Sequence, residues 1–142
     1  MIDFRMAKPS DALELRILND LFNGEESSTV GAIAASLETN AQEIVCVAAE
    51  GNRLVGYCCG QIMKSMCYTY DYAEITEFYV MEEYRRQGIG RRLFMFTDNE
   101  FNERGITHFH IATGHENVAA QTLYRSCGYA ETAIMLEKDP QH

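Results

Sequence analysis

The chain has 142 residues, of which 46% are apolar and 23% are charged, and its formal net charge is −9. This length suits one compact domain, so we expect residues 1–142 to form a single domain. No stretch approaches the ~20 apolar residues that cross a bilayer, and the acidic excess repels nucleic acid, so we expect neither a membrane nor a nucleic-acid partner. The negative charge favours cationic partners such as a polyamine, or it serves solubility alone.

The cysteine pattern favours reduced thiols. The chain has five cysteines, an odd number without Cys-x-x-Cys spacing. Cys46, Cys58 and Cys127 fall at positions that we expect to be buried, and charges near the N-terminus would interrupt a secretory signal, so a cytoplasmic protein is expected. No metal site is expected either, because His108 and His110 are the only close histidine pair and no cysteine or carboxylate completes a zinc-like set.

The first elements in chain order are a strand and two helices. Ile2–Met6 alternates as a strand does, and Pro9–Asp11 is a helix-start signal ahead of apolar residues at helical spacing. Gly24 ends that helix, and Ser28 or Thr29 can cap a second one. We expect this pair of helices to form a wall of the substrate site.

The middle of the chain predicts three strands. Glu43–Glu50 and Arg53–Met63 are joined by the short turn Gly51-Asn52, which predicts an antiparallel hairpin. Ala73–Val80 predicts the next strand, after a connecting turn at Met66–Asp71.

The last third of the chain predicts two helices and two strands. A long helix is expected over Gly88–Arg104, followed by a strand at Thr107–Thr113. A final helix over Asn117–Cys127 precedes a last strand at Tyr129–Glu137, with Asp139–His142 as a frayed tail. Together the elements predict an α+β fold with a mixed, mainly antiparallel sheet.

The segment FYVMEEYRRQGIGRR leads from an apolar strand through a charged turn into a helix. Gly88 and Gly90 lack side chains, so the backbone amides of the turn can close on an anion at the helix N-terminus. Glycines at such a turn can also serve a steric purpose only. Nucleotide-hydrolase loops need Gly-Lys-Ser/Thr, and dinucleotide fingerprints need a third glycine, so neither pattern fits. The segment predicts a phosphate-binding loop.

A second motif follows this loop, Asn-x-x-Ala-x-x-Leu-Tyr-x-x-x-Gly-Tyr at residues 117–129. With both motifs the chain resembles the GCN5-related N-acetyltransferases, most strongly over residues 73–132. The resemblance implies an α/β/α sandwich whose sheet is splayed at the site of the cosubstrate acetyl-CoA, without a metal. It also implies that the cofactor is held by Phe78, Tyr79, Val80, Arg85, Arg86, Gln87, Gly88, Ile89, Gly90, Arg91, Asn117, Ala120 and Tyr124.

Acetyl transfer to an amine needs a group that removes the amine proton. Glu77 is the predicted base, because strict alternation puts this carboxylate on the apolar face of Ala73 and Ile75. A structural or surface carboxylate is the alternative. Glu74 on the opposite face, or Asp71 in the preceding loop, would then bind the cationic amine.

The other catalytic roles come from the resemblance. It implies that Tyr124 is the general acid that protonates the thiolate, the alternative being a packed aromatic ring. Asn117 caps the last helix, contacts the pantetheine arm, or does both. The backbone N–H of Val80 would polarise the acetyl carbonyl. His110 and His115 are further candidates for substrate contacts or alternate bases.

The leading interpretation is an acetyl-CoA-dependent N-acetyltransferase that acts, by direct attack in a ternary complex, on a primary amine of a small cationic substrate similar to an aminoglycoside or polyamine. One alternative is acetylation of a protein N-terminus or lysine. Another is a non-catalytic domain that binds coenzyme A for regulation. Only thirteen residues follow Tyr129, which leaves room for one strand. The far edge of the sheet is therefore expected to be bare in a single chain and to be covered by the partner in a homodimer.

Overall fold

The computed structural model describes residues 1–140 in two compact units, Met1–Ile111 and a smaller one that begins at Ala112. The expectation of a single domain stays a prediction. Within residues 1–140, no helix combines the length and the apolar composition that spanning a membrane requires. Of the predicted tail Asp139–His142, the last two residues lie outside the described part of the chain.

The first unit is built on a five-stranded sheet with the strand order β1-β2-β3-β4-β5. Neighbouring strands from β1 to β4 are antiparallel, whereas β4 and β5 are parallel. This confirms the predicted α+β fold with a mixed, mainly antiparallel sheet. The strands are β1 (Ile2–Met6), β2 (Glu43–Glu50), β3 (Arg53–Met63), β4 (Tyr72–Val80) and β5 (Phe109–Ile111).

Three helices flank this sheet, and local signals set their ends. The helices are α1 (Ala12–Asn23), α2 (Val30–Thr39) and α3 (Ile89–Glu103), with 3-10 turns at Pro9–Asp11 and Glu82–Tyr84. Gly24 ends α1 with a positive φ of 97°. The hydroxyl of Thr29 caps α2 by accepting a hydrogen bond from the Ala32 N–H at 3.1 Å.

Helix α3 packs closely on the face of the sheet opposite α1 and α2. Its side chains Leu93, Phe94 and Phe101 are fully buried. A Cβ atom at Gly60 of β3 would lie 2.5 Å from the Phe101 ring, so only glycine permits this approach. This close packing of α3 against the sheet fixes the position of the helix N-terminus, where the predicted phosphate loop ends.

Strand β5 is shorter than predicted. The sequence predicts a strand over Thr107–Thr113, but only Phe109–Ile111 forms one. Its three residues pair with Ala73–Ile75, and the ladder stops there. Because a strand exists only where a partner supplies hydrogen bonds, apolar residues beyond that ladder do not extend it.

The second unit contains helix α4 (Val118–Ser126), which confirms the predicted last helix. The predicted strand Tyr129–Glu137 is wrong, since residues 129–140 form no strand. This segment has a strand-like sequence but no ladder partner, and an unpaired strand is not stable in water. Its apolar side chains Ile134 and Leu136 are 86% and 87% exposed.

Candidate functional site

A bulge interrupts β4 where the predicted base lies. Glu77 pairs with Cys59 of β3, and Ile75 pairs with the next residue, Gly60, so Thr76 is the extra residue between them. The Thr76 hydroxyl donates a hydrogen bond to the Cys59 carbonyl at 3.3 Å. A bulge shifts the alternation of side chains by one residue and bends the strand.

The bulge places Glu77 on the opposite face from the one that strict alternation predicts. Ala73 and Ile75 are buried toward α3, and a Cβ at the position opposite Ile75 would meet the Phe101 ring. Glu74 and Glu77 pair with β3 residues two apart, so they share the other face, toward α1 and α2. The prediction that Glu77 shares a face with Ala73 and Ile75, and that Glu74 is opposite it, is therefore wrong.

Helix α1 supplies one hydrogen-bond partner for Glu77. Asn23 Nδ2 donates to Glu77 Oε1 at 3.0 Å and to Asn19 Oδ1 at 2.7 Å. The Tyr57 hydroxyl on β3 also donates to Asn19 Oδ1, at 3.2 Å. Burial raises the pKa of Tyr57, so this hydroxyl keeps its proton at neutral pH. The sequence does not predict this series of hydrogen bonds, because the residues that form it are brought together by folding and belong to no local motif.

An aromatic cluster lies beside Glu77. The rings of Phe22 and Tyr79 stack at 5.3 Å, and Tyr57 lies 6.4 Å from each of them. The Arg85 guanidinium lies over Tyr79, 5.4 Å from the ring centre, and its Nε donates to the Val80 carbonyl at 2.8 Å. Arg85 thus ties the loop to the end of β4, a role that the sequence does not indicate.

On the side of β4 that faces β5, no strand among residues 1–140 pairs with β4 beyond Ile75. Within residues 1–140, β5 is the strand on this side of β4, and it pairs only with Ala73–Ile75. The Met81 N–H donates to Val55 of β3 at 2.8 Å. Because successive residues of an antiparallel strand face alternate sides, the Val80 N–H points away from β3 toward this side of β4.

The predicted phosphate loop has a backbone that favours anion contact. Arg86 and Gly88 have φ values of 63° and 79°, in the left-handed region that favours glycine. The first N–H groups of α3, which begins at Ile89, have no acceptor within the helix. A Cβ at Gly90 would lie 3.4 Å from Phe78 Cζ, so Gly88 is required by its backbone angle and Gly90 is only closely packed.

The predicted residues of the second unit lie on or near α4. Asn117 caps this helix, since its Oδ1 accepts from the Ala120 N–H at 3.2 Å. Tyr124 is 8% exposed, and its ring lies 6.3 Å from that of Tyr129. His115 is exposed, and its carbonyl accepts from a side chain of α4.

Two other predicted groups have partners of their own. Asp71 forms an ion pair with Lys64 at 2.6 Å. His110 lies opposite Glu74 on β5, and its Nε2 is 3.3 Å from Nε2 of His108. Within residues 1–140, no three or more His, Cys, Asp or Glu side chains are grouped so as to hold a metal ion. The first unit thus brings together Glu74, Glu77, the β4 edge and the loop.

A cavity of about 230 Å³ lies between α1, α2 and the sheet, and Glu77 lines it. The pair of helices that we expected to form a substrate wall does line this space. A second carboxylate, Glu43 at the start of β2, also faces it. Sequence reasoning missed Glu43, because a carboxylate at a strand start usually points to solvent.

The chain is similar to known proteins in both sequence and structure. The model of the acetyltransferase (GNAT) family matches residues 13–129. The [ribosomal protein bS18]-alanine N-acetyltransferase of Escherichia coli K12 is 34% identical over 64 residues, 45% of this chain and 43% of that protein. The chain thus matches less than half the length of this curated relative.

Two solved structures have the same fold at low identity. An aminoglycoside acetyltransferase from an uncultured soil metagenomic sample has a TM-score of 0.83 at 19% identity, over 97% of this chain and 95% of the other. A ribosomal-protein-alanine N-acetyltransferase from Brucella melitensis has a TM-score of 0.79 at 15% identity, over 98% and 100%.

Proposed function

This chain belongs to the acetyltransferase (GNAT) family, and we propose that it transfers an acetyl group from acetyl-CoA to a primary amine of a small cationic molecule. The observation that carries this proposal is one arrangement in the first unit. The edge of β4 beyond Ile75 ends in the glycine loop, and the Glu77 carboxylate on the same strand lines a cavity.

The cofactor side of the site is the β4 edge and the loop. Exposed backbone on a strand edge suits the amide groups of a pantetheine arm. The left-handed loop and the start of α3 suit the pyrophosphate, and Arg86, Gln87 and Arg91 lie exposed around them. Acetyl-CoA, when bound, supplies a thioester from which the acetyl group passes to the amine, so that a C–N bond forms and the C–S bond breaks.

The acceptor side is the carboxylate of Glu77. An alkyl amine has a pKa of about 10.4, so near neutral pH it must lose a proton before it attacks. We assign to Glu77 the removal of this proton, directly or through one water. Asn23 holds the carboxylate through one oxygen, Oε1. The Val80 N–H is assigned the polarisation of the acetyl carbonyl, because it faces the β4 edge.

Tyr124 is proposed as the proton donor to the leaving thiolate. This role rests on the place of Tyr124 in the family motif at residues 117–129. Its low exposure suits a hydroxyl that acts away from bulk water. The proton balance then closes, since the amine loses one proton to Glu77 and the thiolate gains one from Tyr124.

A small cationic acceptor is favoured by the carboxylates Glu43 and Glu77 in the cavity lining and by the net charge of −9. A second candidate is a protein N-terminus. It is favoured by the 34% identity with the alanine N-acetyltransferase of Escherichia coli, which acts on a ribosomal protein.

The test of the function is release of free thiol from acetyl-CoA over a panel of acceptors. The panel contains linear amines, an aminoglycoside, and a peptide that begins with alanine. We expect turnover with small amines and little with the peptide. Turnover with the peptide alone would make the second candidate correct. Coenzyme A binding without turnover on any acceptor would overturn the proposed catalysis.

Two further properties are proposed beside the activity. All five cysteines are free, and three of them are buried, which suits a reducing compartment such as the cytoplasm. We also propose a homodimer, supported by the run of exposed apolar side chains Ile134, Met135 and Leu136.

A further inference from the structure

The cavity beside Glu77 has a mixed lining of apolar and polar side chains. Its walls come from α1 and α2, and its floor comes from β2, β3 and β4. The apolar lining consists of Leu15, Ala32, Ile33, Leu37, Val45 and Cys59. The polar lining consists of Asn19, Ser28, Ser36, Tyr57 and the carboxylates Glu43 and Glu77. The apolar side chains give a methylene chain a surface to pack against.

Glu43 is a partly buried carboxylate at the other end of this cavity. Its Oε2 accepts a hydrogen bond from Gln61 Nε2 at 3.3 Å. Burial raises the pKa of Glu43, and the negative charge of Glu77 raises it further. No Lys, Arg or His among residues 1–140 forms an ion pair with Glu43 or Glu77. Two carboxylates therefore face one cavity without a counter-charge, which is costly unless a ligand supplies one.

The strand register gives the separation of these two carboxylates. Val45, Cys59 and Glu77 form one row across the three strands, and Glu43 lies two residues before Val45. Two strand spacings and two residues correspond to about 12 Å between the Cα atoms of Glu43 and Glu77. On the sheet side, the apolar residues Val45 and Cys59 lie between the two carboxylates.

We propose that Glu43 binds the second ammonium group of a linear aliphatic diamine whose first amine is acetylated beside Glu77. This inference rests on the proposed function and narrows its substrate class. The methylene chain lies over Val45 and Cys59, beneath Ile33. A monoamine leaves the Glu43 charge unpaired.

The test compares linear diamines with monoamines of the same length, putrescine with butylamine and cadaverine with pentylamine. We expect the protein to prefer the diamines in kcat/KM. Glu43→Gln should reduce kcat/KM for the diamines by roughly tenfold or more and change that for the monoamines little, because only the pairing of the distal charge is lost. Glu38→Gln is the control, since Glu38 lies exposed on α2 outside the cavity lining and should leave the preference intact.

Binding measured by calorimetry separates this inference from the proposed function. Acetylation of diamines and monoamines alike, or a diamine preference that survives Glu43→Gln, would overturn the inference and leave the function standing. If no amine is acetylated, the function fails. Diamine binding that Glu43→Gln weakens would still support the cavity as a diamine site, and equal binding would reject it. A thermal melt that matches the parent shows that the variant is folded.

Discussion

Glu77 is a half-buried carboxylate that is hydrogen-bonded to the neutral amide of Asn23 and has no ion-pair partner within residues 1–140. Glu77→Gln keeps the size of the side chain and an oxygen that accepts from Asn23, but the amide cannot take a proton at neutral pH. If Glu77 is the base, kcat should fall by roughly 10²- to 10⁴-fold and partly recover at higher pH, where more of the amine is already neutral. Initial rates from pH 6 to pH 10 measure this.

The same experiment separates proton removal from charge binding. A carboxylate that only binds the ammonium would show its loss as a higher KM with little change in kcat. A variant that equals the parent in both constants over the whole pH range would exclude both roles. Glu74, which shares the face of Glu77, would then be the next candidate base.

Tyr124→Phe removes the proposed proton donor and keeps the ring. The ring stays packed, and a thermal melt checks that the variant is folded. The kcat should fall by roughly 10²- to 10⁴-fold, as is typical for an acid–base group, with acetyl-CoA affinity nearly unchanged. Tyr129→Phe is the matched control, because its ring is the neighbour of Tyr124. Nearly full turnover in Tyr124→Phe would mean that solvent protonates the thiolate.

The sequence singles out Glu77 but does not predict the face of the sheet on which its carboxylate lies. Glu77 stands out as a charge in an apolar strand, yet Thr76 forms a bulge that reverses its face. No local signal marks this bulge, because it depends on the register with β3. Glu43 and Asn23 reach the cavity through folding alone and carry no motif.

The predicted phosphate loop can be tested with a helix-compatible substitution. Gly90→Ala should lower coenzyme A affinity at least tenfold, about 1.4 kcal/mol, if the ligand backbone approaches this position. The free energy of unfolding should not fall, because alanine favours a helix by up to ~1 kcal/mol and the methyl group would lie 3.4 Å from Phe78 Cζ. Gly88→Ala is a less specific test, since any residue with a side chain is strained at a φ of 79°.

The control for the loop is Gly31→Ala. Gly31 is an exposed helical glycine of α2, and a Cβ atom added there would meet no neighbour within 4 Å, so coenzyme A affinity should not change. Titration calorimetry measures both variants. Unchanged affinity in a folded Gly90→Ala protein would remove this turn from the cofactor site.

Elements with local signals were predicted to within one or two residues. Gly24 and Thr29 mark helix ends through backbone angle and side-chain capping, both readable from the sequence. The predicted length of β5 and the predicted strand Tyr129–Glu137 are wrong, because a strand forms only where a distant partner is in register. The resemblance to a family supplied the proposed cofactor site, which periodicity does not reveal.

At the scale of the whole molecule, the proposed homodimer follows from apolar surface. The run of Ile134, Met135 and Leu136 is 86%, 66% and 87% exposed, an arrangement that favours burial against another chain. We expect sedimentation at micromolar concentration to give twice the mass of one chain. Leu136→Lys should give a monomer, because an unpaired charge in an apolar contact is costly. Leu13→Lys, at a 58% exposed site on α1, should leave the dimer intact. A parent protein that sediments as a monomer would contradict the proposal, and an unchanged dimer in Leu136→Lys would place the interface elsewhere.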